Sequence, residues 1–396
     1  MTVHTGRTVT GTPGRRLLVL LLAHSVLAQM VTFVLRPAVT YRAIELDVPG
    51  GWLGALAASF ALVPLLLAAP SGQATDRFGE RRVMIAGALL MTASAAVLTF
   101  AGSTTAGLAA GVVVLGTGHL FCVVGQQAAV ANAAPPDRFD AAFGYYTFAA
   151  SLGQALGPGL IILAGGGQAV PATGALFASA IGIGLVLTLC ALFLRMPPRP
   201  AESREQETGG IRGLVRLPGL PQALLVSCVV LAAVDITLVY LPVLGTDRAL
   251  SAGFIGLLLT LRAVASMTSR LFLGKLVTSL GRRRLMIGTT VLSALSMAAL
   301  ALPLPPAATA CLVVALGLGL GVGQPLTMAW LATSTPPGLR GRAMSLRLTG
   351  NRLGQVVIPS AVGAIAVSAG AAGVLCATAA ALAAAAALAR RASYSA

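Results

Sequence analysis

Apolar residues in this chain come in runs of roughly twenty, separated by short stretches of Gly, Pro and charge. Twelve such runs fall near 17–41, 51–72, 83–102, 105–133, 141–165, 173–195, 219–245, 250–275, 284–304, 306–332, 342–367 and 370–389. Each can cross a hydrocarbon core of about 30 Å at about 1.5 Å per residue. The pattern predicts an all-α integral membrane protein with twelve transmembrane helices. Met1 to Arg16 is polar and basic, and Leu17 to Ala28 has the length of a signal-peptide core, with Ser25-Val-Leu-Ala28 as a cleavage site. Apolar character continues to Leu35, so a retained first helix is expected.

Charge is confined to alternate turns. One side holds Arg7, Arg15, Arg16, the turn Gly72–Arg82, Arg138, the segment Arg195–Arg216, the turn Gly274–Arg284, Arg340, Arg342, Arg390 and Arg391. The other holds Arg42 and Arg248, each near acids (Glu45 and Asp47; Asp247). The positive-inside rule places both termini in the cytoplasm, as an even number of spans requires. Composition agrees: 57% hydrophobic residues, 10% charged residues and a mean hydropathy of +0.89 exclude a soluble globule, which carries about 25% charge. The basic excess, 27 Lys+Arg against 11 Asp+Glu, is scattered through turns rather than clustered with aromatics. That distribution reflects topology and excludes a nucleic-acid partner. Arginine supplies 26 of the 27 basic residues, as in a GC-rich genome, and the expected location is a bacterial cytoplasmic membrane, with the chain a monomer in the bilayer. Five widely spaced cysteines inside apolar runs give neither a disulfide framework nor a metal site, and no cofactor is expected.

The chain is duplicated. Gly72-Gln-Ala-Thr-Asp76-Arg77-Phe-Gly79-Glu80-Arg81-Arg82 returns 202 residues later as Gly274-Lys-Leu-Val-Thr278-Ser-Leu-Gly281-Arg282-Arg283-Arg284. Pro37 and Pro242 lie 205 apart, and Gly54 and Gly256 lie 202 apart. Pro135-Pro136 followed by Gly153-Gln154-x-x-x-Pro158 matches Pro336-Pro337 followed by Gly354-Gln355-x-x-x-Pro359 at an offset of 201. A drifting, continuous offset marks an internal repeat. The polar stretch Pro197 to Pro218 reads as a flexible linker. The expected organisation is a six-helix bundle over 1–195, a cytoplasmic linker over 196–218 and a second bundle over 219–396.

The G-x-x-x-D-R-x-G-x-R-R turn between spans two and three, echoed half a chain later, resembles the signature loop of the major facilitator superfamily. The second copy departs from it, with Thr278 in place of the aspartate and Ser279 in place of the arginine. The resemblance implies two pseudo-symmetric six-helix bundles that rock about a midplane site. It implies a conformational latch in Gly72, Asp76, Arg77, Gly79, Arg81, Arg82, Gly274, Gly281 and Arg283. Gly153, Gly157 and Pro158 resemble the G-x-x-x-G-P motif of twelve-span drug or metabolite:proton antiporters, where close helix approach and a proline bend assist the rocking. The arginine that many drug antiporters carry in span four is missing; His119 stands in that span.

Charges at mid-bilayer are costly, so each needs a partner or a wet cavity. The strongest proton-coupling candidate is Asp235, the one acid inside a span, followed by His24 and His119. A neutralising partner for Arg36, Arg262 or Arg352 is the structural alternative for Asp235. Cavity candidates are Gln29, Arg36, Gln126, Gln127, Gln154, Arg262, Gln324, Arg347, Asn351 and Arg352, with Gln355 as a companion. Arg270, near the motif turn, reads as structural. Spans 3, 6, 9 and 12 contain none of these groups, which fits the lipid-facing helices that the resemblance implies. The expected activity is secondary transport by alternating access: proton-coupled export of a small amphipathic compound, or uptake or exchange of an organic anion. A membrane enzyme lacks a catalytic set in this sequence, a primary pump lacks a phosphate-binding loop, and a non-transporting sensor or lipid scramblase is the remaining class.

Overall fold

A computed structural model describes residues 15–133, 139–196, 220–334 and 340–391. These fold as helices: α1 (Arg15–Glu45), α2 (Gly50–Phe78), α3 (Glu80–Ala101), α4 (Thr105–Ala133), α5 (Phe139–Gly165), α6 (Thr173–Phe193), α7 (Leu220–Asp247), α8 (Ala252–Leu271), α9 (Leu273–Leu280), α10 (Arg282–Leu300), α11 (Pro306–Ser334) and α12 (Arg340–Arg391). No strand occurs among the described residues. Helix is the open-ended structure that satisfies every backbone group inside lipid.

Ten helical stretches are long and apolar enough to cross a membrane. One of them, Leu346–Arg390, is 45 residues long and holds two crossings, separated where Gly370 takes φ 60°. The remaining expected crossing is α10, which opens on three arginines and so has a shorter apolar part. The expected eighth span differs in its end: it stops at Leu271, and α9 follows as a separate eight-residue helix. The linker residues 197–219 and the prolines Pro135, Pro136, Pro336 and Pro337 lie outside the described residues.

Within the first half, α1 packs on α5 and α6, α3 on α4 and α6, and α2 on α4. Within the second, α7 packs on α12, α8 on α11, and α10 on α11 and α12. The halves meet through α2 with α12, α5 with α8, and α1 with α7. The closest approaches lie towards the face opposite the motif turns. A Cβ on Gly54 would stand 2.3 Å from the Pro359 carbonyl oxygen and 2.7 Å from the Gly363 Cα. One on Gly256 would stand 3.0 Å from the Pro158 carbonyl oxygen. These two glycines are the repeat pair noted above, and each sits in an equivalent seam between the halves.

The motif turns serve first as breaks and ties. Gly79 (φ 85°) and Gly281 (φ 76°) adopt left-handed backbone that any side chain would strain, ending α2 and α9. Arg81 then donates from Nη2 to the Leu192 carbonyl at the end of α6, 2.7 Å away. Its repeat mate Arg283 donates to the Arg390 carbonyl at the end of α12. Asn132 of α4 donates to Glu80 at 2.5 Å. Arg77 lies over the Phe78 ring, and Arg82 is exposed. A Cβ on Gly72 or Gly274 would meet nothing within 4 Å. Asp76 belongs to α2, and its side chain lies outside the described residues. Because the Arg81 bond is exposed and single, Arg81→Ala should lower stability by no more than about 1 kcal/mol, read as a small fall in melting temperature in detergent. A collapse of folding would assign Arg81 a larger role.

Candidate functional site

The site begins with a carboxylate that lipid alone would not tolerate. Asp235 of α7 is 3% exposed, and its Oδ1 accepts from Nη1 of Arg36 on α1. Its Oδ2 accepts from Gln355 Nε2 on α12 at 2.6 Å. Gln355 in turn accepts at Oε1 from Arg352 Nη1, 3.0 Å away. One carboxylate thus ties α1 of the first half to α7 and α12 of the second.

Aromatic rings from the first half complete this central layer. The Arg36 guanidinium lies 4.6 Å from the Phe60 ring centroid, and that of Arg352 lies 6.0 Å from the same ring. The His119 ring centroid lies 5.5 Å from that of Phe60, with its Nδ1 3.0 Å from the Thr32 hydroxyl. Arg262 of α8 stands 6.0 Å from the Phe33 ring. Its side chain is fully buried, at 1% exposure for the residue, and Nε and Nη2 have no hydrogen-bond partner among the described residues. Those two nitrogens form one edge of the guanidinium, the edge that grips a carboxylate or sulfate with two parallel bonds. Arg36 Nη2 also lacks a described partner, and Arg36 lines a cavity of about 10 Å³, room for one water, together with Thr40 and Val239 among others. Arg36, Arg262 and Arg352 therefore surround one carboxylate.

A second polar layer lies nearer the motif turns. Gln324 of α11 accepts at Oε1 from Arg347, from Asn351 Nδ2 at 3.4 Å and from the Ser227 hydroxyl at 3.4 Å. It donates from Nε2 to the Ser227 carbonyl at 2.7 Å, and the Ser227 hydroxyl donates to Asn351 Oδ1 at 2.9 Å. The first half holds a corresponding layer: Gln126 lies 2.7 Å from His24 Nδ1, and the Tyr146 hydroxyl donates to Gln126 Oε1 at 3.2 Å. Gln127 is half-buried beside it. Gln154 donates to Gln29 at 3.3 Å, repeating the bond from Gln355 to Asp235. Gln154 and Gln355 lie 201 residues apart, and Gln29 and Asp235 lie 206 apart, so the second half carries an acid where the first carries an amide.

Several sequence candidates are brought together here, and others are not. Asp235, Arg36, Arg352, Arg262 and His119 converge; Gln324, Arg347 and Asn351 form the neighbouring layer; His24, Gln126, Gln29 and Gln154 stay within the first half. Arg270 donates to the Gly321 carbonyl at 3.1 Å and to the Ser151 hydroxyl at 2.6 Å, a tie among three helices. Gly153 and Gly157 let α5 press on α1: a Cβ there would stand 2.2 Å from the Val26 carbonyl oxygen and 2.9 Å from that of Met30. Phe33, Phe60, Thr32 and Ser227 were not singled out from sequence. The repeat offers a signal for one of them, since Phe60 lies 202 residues before Arg262.

The sequence profile of the Major Facilitator Superfamily matches residues 21–246 and 223–395. The chain belongs to that superfamily. Its members are transporters, and this superfamily protein is accordingly a multi-pass membrane transporter. Solved structures share the fold: a D-xylose-proton symporter (17% identity, TM-score 0.76, covering 94% of this chain and 96% of that one) and a mutant of the nucleoside transporter NupG (15%, 0.75, 95% and 99%). The human organic anion transporter MFSD10 is similar as well (18%, 0.69, 96% and 100%). No curated protein sequence matches the chain. In this superfamily fold the central layer lies between the two halves, with Arg36 from the first and Asp235 from the second.

Proposed function

We propose that the chain exports a small organic oxyanion by alternating access, with Asp235 as its proton-coupling group. The observation that carries the reading is the unpartnered Nε/Nη2 edge of Arg262, buried within a layer of three arginines and one acid. A buried charge without a counter-charge is expensive, and a bound anion removes that cost. The same surplus disfavours a lipophilic cation, so the amphipathic cargo expected from sequence narrows to an anion with a carboxylate, sulfate or phosphate group. Its apolar body would lie against Phe33 and Phe60.

The coupling follows from the bonds. While Asp235 is ionised, its pair with Arg36 holds the first half to the second, and the face opposite the motif turns stays closed. Protonation removes the negative charge, frees Arg36 and loosens that seam. A proton entering from outside would therefore favour opening to the outside, and return of Asp235 to its ionised form would restore the charge that competes with the anion for Arg36. In this reading His119, beside Phe60 and half-buried, would pass that proton, and His24, tied to Gln126, would serve the architecture of the first half. Export is further supported by the close α5–α1 packing of the antiporter-like Gly153 and Gly157. On this reading the chain works as a monomer in a cytoplasmic membrane with the motif turns on the cytoplasmic side, which makes the described state the one closed to the outside.

Proteoliposomes loaded with benzoate, succinate, sulfate or a lipophilic cation test the reading directly. Wild type should release at least one anion and no cation. Arg262→Gln should slow that release by about ten- to a hundredfold, and Arg262→Lys should restore little, because an ammonium lacks the two-donor edge. Cation release without anion release would overturn the proposal.

A further inference from the structure

The layer nearer the motif turns is built twice, and the two copies differ in charge. In the first half, Gln126 joins His24 to Tyr146; in the second, Gln324 joins Ser227 to Arg347. Tyr146 and Arg347 are repeat mates, 201 residues apart. The same tie between three helices is thus closed by a phenol in one half and by a guanidinium in the other. A neutral hydroxyl suffices for the packing, so the positive charge of Arg347 exceeds what the architecture requires.

That charge is 4% exposed, and Arg347 Nε has no hydrogen-bond partner among the described residues. The ion pairs found among the described residues are Arg36 with Asp235 and Arg42 with Glu45, so no acid there pairs with Arg347. Its Nη2 is held by the Gln324 side chain and backbone oxygen, which fixes the guanidinium while leaving Nε free. Asn351 and Ser227 stand beside it with an amide and a hydroxyl.

We infer that Arg347, with Asn351 and Ser227, forms a second oxyanion site on the motif-turn side of the central layer. Ser227 and Asp235 are eight residues apart on α7, which sets the two layers about 12 Å apart along the helix. The ligand class is the same carboxylate-, sulfate- or phosphate-bearing anion, and the inference rests on the anion-export reading. One anion occupies the two sites in succession: Arg347 takes it first from the cytoplasmic side, and Arg262 takes it at the centre. The repeat supplies the variant that tests this, because Arg347→Tyr installs the side chain with which the first half already closes its own layer.

The test uses the full chain reconstituted on solid-supported membranes, with benzoate, succinate, phenyl phosphate and sulfate as probes. Rapid addition of an anion that binds gives a transient charge displacement even when turnover is blocked. Arg262→Gln should retain a saturable displacement, and adding Arg347→Tyr should raise its half-saturation concentration about tenfold or more. Arg347→Tyr alone should leave the central site within about twofold of wild type. Size exclusion establishes folding, and Arg347→Gln stands in if the tyrosine variant misfolds. Loss of all displacement in Arg262→Gln alone, or an unchanged displacement in the double variant, would overturn the second site and leave the central anion site standing. Wild type silent to every probe would overturn the anion-export reading itself.

Discussion

Asp235→Asn should abolish the dependence of transport on a proton gradient and open the face opposite the motif turns. Asparagine keeps an oxygen for Gln355 to donate to, but it neither titrates nor balances Arg36. Removing one partner of a buried ion pair costs about 3–5 kcal/mol, because the survivor is left charged in a low-dielectric setting. Arg36 is on α1 and Asp235 is on α7, so much of that loss falls on the closed seam between the halves. A shift of about 4 kcal/mol corresponds to roughly three decades in the closed-to-open equilibrium. Thr40, 2% exposed and beside the water-sized cavity at Arg36, offers the reporter. With the five native cysteines replaced, Thr40→Cys should react slowly with an impermeant maleimide in the parent and rapidly once Asp235→Asn is added. Arg36→Gln should act in the same direction. Slow labelling and intact proton dependence in the Asp235→Asn protein would show that the pair is neither gate nor coupling site.

Gly54→Leu should eliminate transport while leaving the membrane topology intact. Even a single Cβ there would stand 2.3 Å from the Pro359 carbonyl oxygen, and the facing atoms are backbone that cannot swing aside. The seam between α2 and α12 would be held apart, and a carrier that cannot close one face cannot complete a cycle. Gly256→Leu, at the equivalent seam between α5 and α8, should give the same phenotype, with its Cβ 2.9 Å from the Ile162 nitrogen. Gly72→Ala is the control, because its Cβ meets nothing within 4 Å. Maleimide access at Thr40→Cys should be permanently high in both leucine variants and low in the control. Normal transport by Gly54→Leu would mean that the seam does not close in the working cycle.

Much of the architecture can be read from the sequence, because hydrophobic length is a one-dimensional property. Runs of roughly twenty apolar residues became helices, and a repeat visible as matched Gly and Pro positions became two matched sets of contacts. Asp235 stood out because an acid in such a run is anomalous. Which of three arginines it meets was not legible: Arg36, Arg262 and Arg352 lie on different helices, and only packing decides that Arg36 is bonded while Arg262 keeps a free edge. Phe33 left no mark in the sequence and Phe60 only its place 202 residues before Arg262, since an aromatic ring in an apolar run looks like any other lipid-compatible residue until a guanidinium faces it. The motif turn was legible as a turn, through Gly79 and Gly281, but the carbonyls that Arg81 and Arg283 reach lie over a hundred residues away.

The turn within α12 has a mechanical consequence. Two joints between crossings keep several residues of slack, Gly102 to Thr104 between α3 and α4 and Ala301 to Pro305 between α10 and α11. The last two crossings, like α2 and α3 at Gly79, are joined at a single non-helical residue, Gly370. A joint of one residue transmits displacement with almost no play. In the proposed alternating-access cycle, a tilt of the first part of α12 against α2 and α7 would carry its second part, braced on α10 through Arg390, as one arm of a stiff hairpin. The outer surface formed by α10 and α12 would then move with each stroke, and the surrounding bilayer would feel it.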